Sequence, residues 1–148
     1  MSIINREIKK LQHYDLKGWG AQIMPIIMLI MHRKMIAQGL MNRLRESPDI
    51  NLVYEPNYHN TKSAICNCNA NVALIEVVES GQYDIDYCLQ LCKVLREHCP
   101  KCKLLLMCPE ENEESIKQVV NAKGQNQIDD FVFYDVTIDY LVSKLRTI

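Results

Sequence analysis

From Pro25 onward, short apolar runs alternate with segments whose apolar residues recur at helical spacing. Ile26-Ile27-Met28-Leu29-Ile30-Met31 has no polar position and predicts a strand buried on both faces. Met35, Ile36, Leu40, Met41 and Leu44 then give a helical stripe that ends near Ser47-Pro48. Ile50 to Tyr54 predicts a second strand, and Asn60 to Cys66 a short helix. Val72 to Ile75 predicts a third strand, which runs into Glu76. Ile85, Leu89, Cys92, Val94 and Leu95 mark a helix that stops before Pro100. Lys103 to Met107 reads as strand four and Glu113 to Ala122 as a helix. Phe131 to Tyr134 reads as strand five, and Ile138 to Leu145 as the closing helix.

Strands 1, 3 and 4 are apolar without alternation, as a parallel sheet covered by helices on both faces requires. The alternation of strands and helices predicts an α/β, flavodoxin-like doubly wound three-layer sandwich, with a parallel sheet in the order 2-1-3-4-5. Residues 1–24 differ. Ile4, Ile8 and Leu11 fall at helical spacing with Arg6, Lys9 and Lys10 between them, and Gly18-Trp19-Gly20 breaks the pattern. They predict an N-terminal helical extension ahead of a domain at 25–148. It is read as a leader helix packed on the domain's flank, with a dimerisation arm as the alternative.

A chain of 148 residues suits one such domain. At that length folding buries about 70% of the unfolded surface, so no staple is needed. Net charge is −1 with both signs interspersed, which gives no electrostatic footprint for nucleic acid or an anionic membrane. The longest apolar run, Ile23 to Met31, contains Pro25 and falls short of the roughly 20 residues of a membrane span. The N-terminus turns polar too soon for a secretory signal. Seven cysteines without an export signal point to free thiols in a reducing compartment, with the cytoplasm as the expected location.

Gln38-Gly39-Leu40 with Leu44, Ser47-Pro48-Asp49-Ile50, Ala70 to Glu76, and Cys99-Pro100 with Lys103 to Met107 together resemble the receiver domains of NarL/LuxR-type response regulators. Gln38-Gly39-Leu40 with Leu44, followed by Ser47-Pro48-Asp49-Ile50, is similar to the first helix and its turn into strand 2. Ala70 to Glu76 resembles the strand that ends on the family's phosphoacceptor aspartate. Cys99-Pro100 with Lys103 to Met107 resembles the Pro-containing entry into strand 4. The resemblance covers residues 25–148. It implies a site where an acidic pair after strand 1 and the strand 3 aspartate hold Mg²⁺. A lysine after strand 5 and a Ser or Thr after strand 4 then stabilise and read the phosphoryl group.

In this chain those positions carry other groups. The acidic-pair positions read Met31-His32, and a thioether and an imidazole are poor ligands for a hard cation. No acid lies between Gln22 and Glu46, so the metal site is absent in any register. The phosphoacceptor position is Glu76, which is one methylene longer and is expected to be the only carboxylate of the pocket. The Ser/Thr position falls on Cys108 and the lysine position on Tyr134. Losing the metal and the lysine removes most of the electrostatic stabilisation that phosphoryl transfer needs. What the resemblance then implies is a degenerate pseudo-receiver that is not an enzyme, uses no cofactor and does not depend on phosphorylation. In it, Glu76 acts as a fixed charge paired with His32 or Arg33.

The resemblance also implies how such a domain acts in bacterial two-component signalling or transcription regulation. Relatives signal through the face of helix 4, strand 5 and helix 5, or dimerise through helices 1 and 5. The first face here would present Tyr134, Asp135, Asp139, Tyr140 and Lys144, although for Tyr140 packing of the last helix onto the sheet is the favoured reading. The loop Lys123 to Gln127 is longer and more polar than is usual in the family. The expected partner is another protein or a second copy of the chain, with no membrane and no nucleic acid bound by this segment. Relatives carry a C-terminal DNA-binding domain, and this chain ends at Ile148.

Two other readings compete. Cys66, Cys68, Cys99 and Cys102 follow helices 2 and 3 and would meet at one end of the sheet, as a four-thiolate zinc site or a thiol-dependent module. Alternatively, the emptied pocket between Met31, Glu76 and Cys108 would hold a small molecule. In that pocket Cys108 would be a candidate nucleophile with His32 as its base. Cys88 and Cys92, one helical turn apart, are read as core.

Overall fold

The computed structural model describes residues 24–110 and 112–148. The expected helical extension lies outside the described residues, Met24 apart. The elements are β1 (Ile26–Ile30), α1 (Lys34–Leu44), β2 (Asn51–Glu55), a 3₁₀ turn (Tyr58–Asn60) and α2 (Thr61–Cys68). They continue with β3 (Val72–Glu76), α3 (Ile85–His98), β4 (Lys103–Cys108), α4 (Glu113–Gly124), β5 (Asp130–Phe133) and α5 (Ile138–Thr147). The strands form one parallel sheet in the order β2-β1-β3-β4-β5.

Strand periodicity divides the core between two faces. Ile27, Leu29 and Met31 point to one side of β1, where Ala37, Leu40 and Leu44 of α1 and Leu141, Val142 and Leu145 of α5 cover them. Met28 and Ile30 point to the other side, against Ile65 of α2, Cys88, Cys92 and Leu95 of α3, and Val119 of α4. Both sides of β3 are closed in this way, so all five of its residues are buried. This is why its sequence shows no alternation. Cys88 and Cys92 sit in this core, as their spacing suggests.

Element ends follow local chemistry. Asp84, Asn112 and Thr137 cap α3, α4 and α5 by accepting backbone N–H groups of the first turn. Helix α4 runs on to Gly124, two residues past the expected end, and Asn126 then takes the left-handed conformation (φ 61°) that closes many helices. The polar 123–127 stretch is therefore largely a helix terminus. Helix α1 stands apart: its N-cap, Arg33, makes no side-chain cap hydrogen bond, and its first turn holds no acid. The charge that serves this end comes from β3.

Candidate functional site

Parallel pairing brings the C-terminal ends of β1, β3 and β4 to one edge of the sheet, with Glu76 opposite Met107. Glu76 ends β3 and is 1% exposed. Its side chain reaches the β1–α1 loop. Oε1 accepts the backbone N–H of His32 at 2.8 Å and of Arg33 at 2.9 Å. Oε2 accepts the Arg33 Nε–H in an ion pair. A carboxylate just ahead of the first turn of α1 is favoured by the positive end of the helix dipole, which a helix without its own cap leaves uncompensated. The Arg33 guanidinium lies over the Tyr134 ring at 4.1 Å from its centroid. Tyr134 in turn donates its hydroxyl proton to the Val77 carbonyl. Burial and the nearby Glu76 charge push the Tyr134 phenol above its usual range, so it remains a donor.

The backbone at Glu76 is held as firmly as its side chain. Tyr58 donates to the Glu76 carbonyl at 2.6 Å, and its ring stacks on Tyr83 at 4.1 Å and 7°. Burial pushes the Tyr58 phenol well up as well. Tyr54 donates to the Met31 carbonyl at 3.2 Å, which fixes the other side of the β1–α1 loop. A shallow cavity of about 370 Å³ remains, lined by His32, Arg33, Glu76, Glu79, Ser80 and Tyr134, with Val78 beside them.

Four of the sequence-predicted groups meet here: Glu76, Arg33, His32 and Tyr134. Of the two partners proposed for Glu76, Arg33 makes the ion pair. His32 contributes its backbone N–H, while its exposed ring turns toward Tyr83 (centroids 6.4 Å apart). Met31 and Cys108 do not join the pocket. Strand alternation sends Met31 under α1 and α5 and Cys108 under the α2–α4 layer, so the sheet itself separates them. The three-residue ligand pocket of Met31, Glu76 and Cys108 therefore does not form. Burial also pushes the Cys108 thiol up to about 12, the reverse of what a nucleophile needs. Nor is Glu76 the only pocket carboxylate, because exposed Glu79, three residues further along the loop, lines the same cavity. Glu79, Tyr58 and Tyr83 had no motif to mark them. Only the position of the loop after β3 pointed to Glu79.

The donor set does not fit Mg²⁺. That ion needs octahedral oxygen ligation, usually with more than one carboxylate free to approach it. Here one of the two carboxylates is already committed to three donors. Among the described residues, no group of three or more His, Cys, Asp or Glu side chains is placed to hold a metal. This also corrects the zinc alternative. Cys66 and Cys99 do meet, Sγ to Sγ at 2.7 Å, but Cys68 and Cys102 complete no four-thiolate site with them. Cys102 is 2% exposed and donates to the Lys103 carbonyl.

The expected α4–β5–α5 face is likewise divided. Tyr134 is turned toward Arg33 in the pocket. Asp139 pairs with Arg43 of α1 at 3.0 Å, which places it on the α1 flank. Lys144 pairs with Asp130 of β5. Asp135 is exposed and gives its backbone N–H to the Glu110 carboxylate at 3.1 Å. Tyr140 is 51% exposed and so does not serve as core packing for α5.

No protein-family model matches the chain, and no curated protein matches it. Solved structures do. The fold is a flavodoxin-like doubly wound domain, and the Glu76 pocket lies at the C-terminal ends of its strands. More narrowly, it is the fold of response-regulator receiver domains. A LuxR-family DNA-binding response regulator from Staphylococcus aureus superposes with a TM-score of 0.66 at 16% identity, over 82% of this chain and 95% of that one. A CheY-like receiver domain protein from Methanospirillum hungatei gives 0.67 at 15% identity, over 83% and 91%. An orphan response regulator of H. pylori gives 0.66 at 13% identity, over 82% and 92%. Among the described residues no helix is long and apolar enough to cross a membrane.

Proposed function

We propose that the chain is a phosphorylation-independent pseudo-receiver, an atypical response regulator. It acts through protein contacts or self-association in bacterial two-component-type signalling or transcription regulation. The observation that carries this reading is the saturation of Glu76. A phosphoacceptor must present a free carboxylate oxygen to an incoming phosphoryl group, next to cations that neutralise the developing charge. Glu76 instead points both oxygens at the β1–α1 loop and spends its charge on Arg33 and two backbone N–H groups. The position of the lysine after strand 5 holds Tyr134, whose ring supports that same arginine. The pocket thus resembles a receiver fixed in one state, with the carboxylate–guanidinium pair supplying permanently what phosphate, metal and lysine supply conditionally. Exposed Val120 on α4, and Ile138 and Tyr140 on α5, give the surface apolar anchors for a partner.

Beryllofluoride with Mg²⁺, a mimic of the phosphorylated state, tests the reading. The backbone amide resonances of His32, Arg33 and Glu76 are expected not to move on titration. The sedimentation coefficient of the same samples is expected to be unchanged. A saturable shift at those amides, or a change in association on adding the mimic, contradicts it.

A further inference from the structure

At the opposite end of the sheet, the thiols of Cys66 and Cys99 lie 2.7 Å apart. Cys66 is in the last turn of α2, and Cys99 is the residue that ends α3, its own N–H bonded to the Leu95 carbonyl at 2.7 Å. The two residues are 33 positions apart in sequence and belong to different helices, so the packing of α2 beside α3 brings them together. Cys66 is exposed and Cys99 half-buried. Both line a cleft of about 720 Å³ that also includes Cys68, His98 and Lys101. Of the other five cysteines, only Cys68 is also partly exposed. Cys88, Cys92, Cys102 and Cys108 are buried, and burial holds Cys92, Cys102 and Cys108 as neutral thiols near 12.

We propose that Cys66 and Cys99 are a reversible oxidation site, at which a hydroperoxide converts the thiol pair to a disulfide that ties α2 to α3. Cys66 is the attacking residue because it is the exposed one. Burial and the neighbouring Cys66 push the Cys99 thiol up to about 11, against the opposing charge of Lys62, which suits Cys99 to the resolving role. In the first step the Cys66 thiolate attacks one peroxide oxygen and the O–O bond breaks. The departing alkoxide or hydroxide takes up a proton, and Cys66 is left as a sulfenic acid. In the second, Cys99 Sγ attacks that sulfur. The S–O bond breaks, the thiol proton leaves with the hydroxide as water, and the S–S bond forms. Two thiols and one hydroperoxide thus give one disulfide, one alcohol or water, and one further water. A dithiol reverses the change by exchange, becoming a disulfide itself. A disulfide needs sulfurs about 2.05 Å apart, and the two sulfurs start from 2.7 Å. The site stands apart from Glu76 and does not depend on the reading of that pocket.

The test uses the full, reduced chain treated with hydrogen peroxide, then blocked with an alkylating reagent and mapped by mass spectrometry. The expected product is intramolecular, has lost two hydrogen atoms, and yields one cross-linked peptide pair joining Cys66 to Cys99. Dithiothreitol abolishes that pair. In Cys99→Ser the cross-link is absent and Cys66 accumulates as a sulfenic acid that dimedone traps. In Cys68→Ser the cross-link persists. Over-oxidation of Cys66 without a cross-link, a bridge through Cys68 or Cys102, or only an intermolecular product overturns the proposal.

Discussion

Glu76 is a buried charge whose partners all come from one loop. A buried carboxylate is tolerated only when its lone pairs are filled by donors, and three donors from two consecutive residues achieve that here. The extra methylene of glutamate lets the carboxylate reach across to α1. Glu76→Gln keeps a carbonyl oxygen for the two N–H groups but turns an amide donor toward Arg33. The expected cost is about 2 kcal/mol, below the 3–5 kcal/mol of a fully buried pair because the Arg33 side chain is 42% exposed. Urea denaturation measures it, and an unchanged midpoint would show that the pair holds nothing together. The pairing of Glu76 with a residue just after β1 was legible in the sequence, since both positions fall at strand ends. The fates of Met31 and Cys108 were not. The period of two along the strands sends each of these side chains into an apolar layer instead of the pocket.

At the level of elements, apolar stripes in the sequence mark the helix positions, while the charged faces carry no such mark. The resemblance groups Asp139 with Tyr140 and Lys144, yet successive helical residues point about 100° apart, and Asp139 faces Arg43 of α1. Lys144 faces β5 and meets Asp130, which Lys123 of α4 also reaches at 3.0 Å. Burial raises the Asp130 carboxyl, but hydrogen bonds from Lys144 and Lys123 outweigh it and hold the group below its usual range. A carboxylate depressed in the folded state stabilises the fold above its unfolded value of about 3.9, and loses that contribution as pH falls through the folded one. Asp130→Asn is therefore expected to cost about 1 kcal/mol at neutral pH, with the gap from the parent closing below about pH 4. Denaturation midpoints of the two proteins between pH 3 and pH 7 check this. A gap independent of pH would assign the loss to packing instead. The same cross-element ion pairs cost the expected interaction face its coherence and leave Tyr140 as its exposed aromatic.

For the whole molecule, the order of apolar strands and helical stripes was enough to specify the sheet order and both layers. Burial on two faces leaves a strong imprint on β1, β3 and β4. What the pattern could not convey is contact between residues distant in sequence. The Tyr58–Tyr83 stack, the entry of Glu79 into the pocket and the meeting of Cys66 with Cys99 each depend on how loops and helix ends fall together in space. The receiver fold and a carboxylate withdrawn into an ion pair together make one central claim, that this domain holds its conformation without phosphate. Intact-mass measurement after incubation with acetyl phosphate and Mg²⁺ tests it most directly. The expected spectrum shows the unmodified chain, and a phosphoryl adduct mapped to Glu76 would contradict the claim.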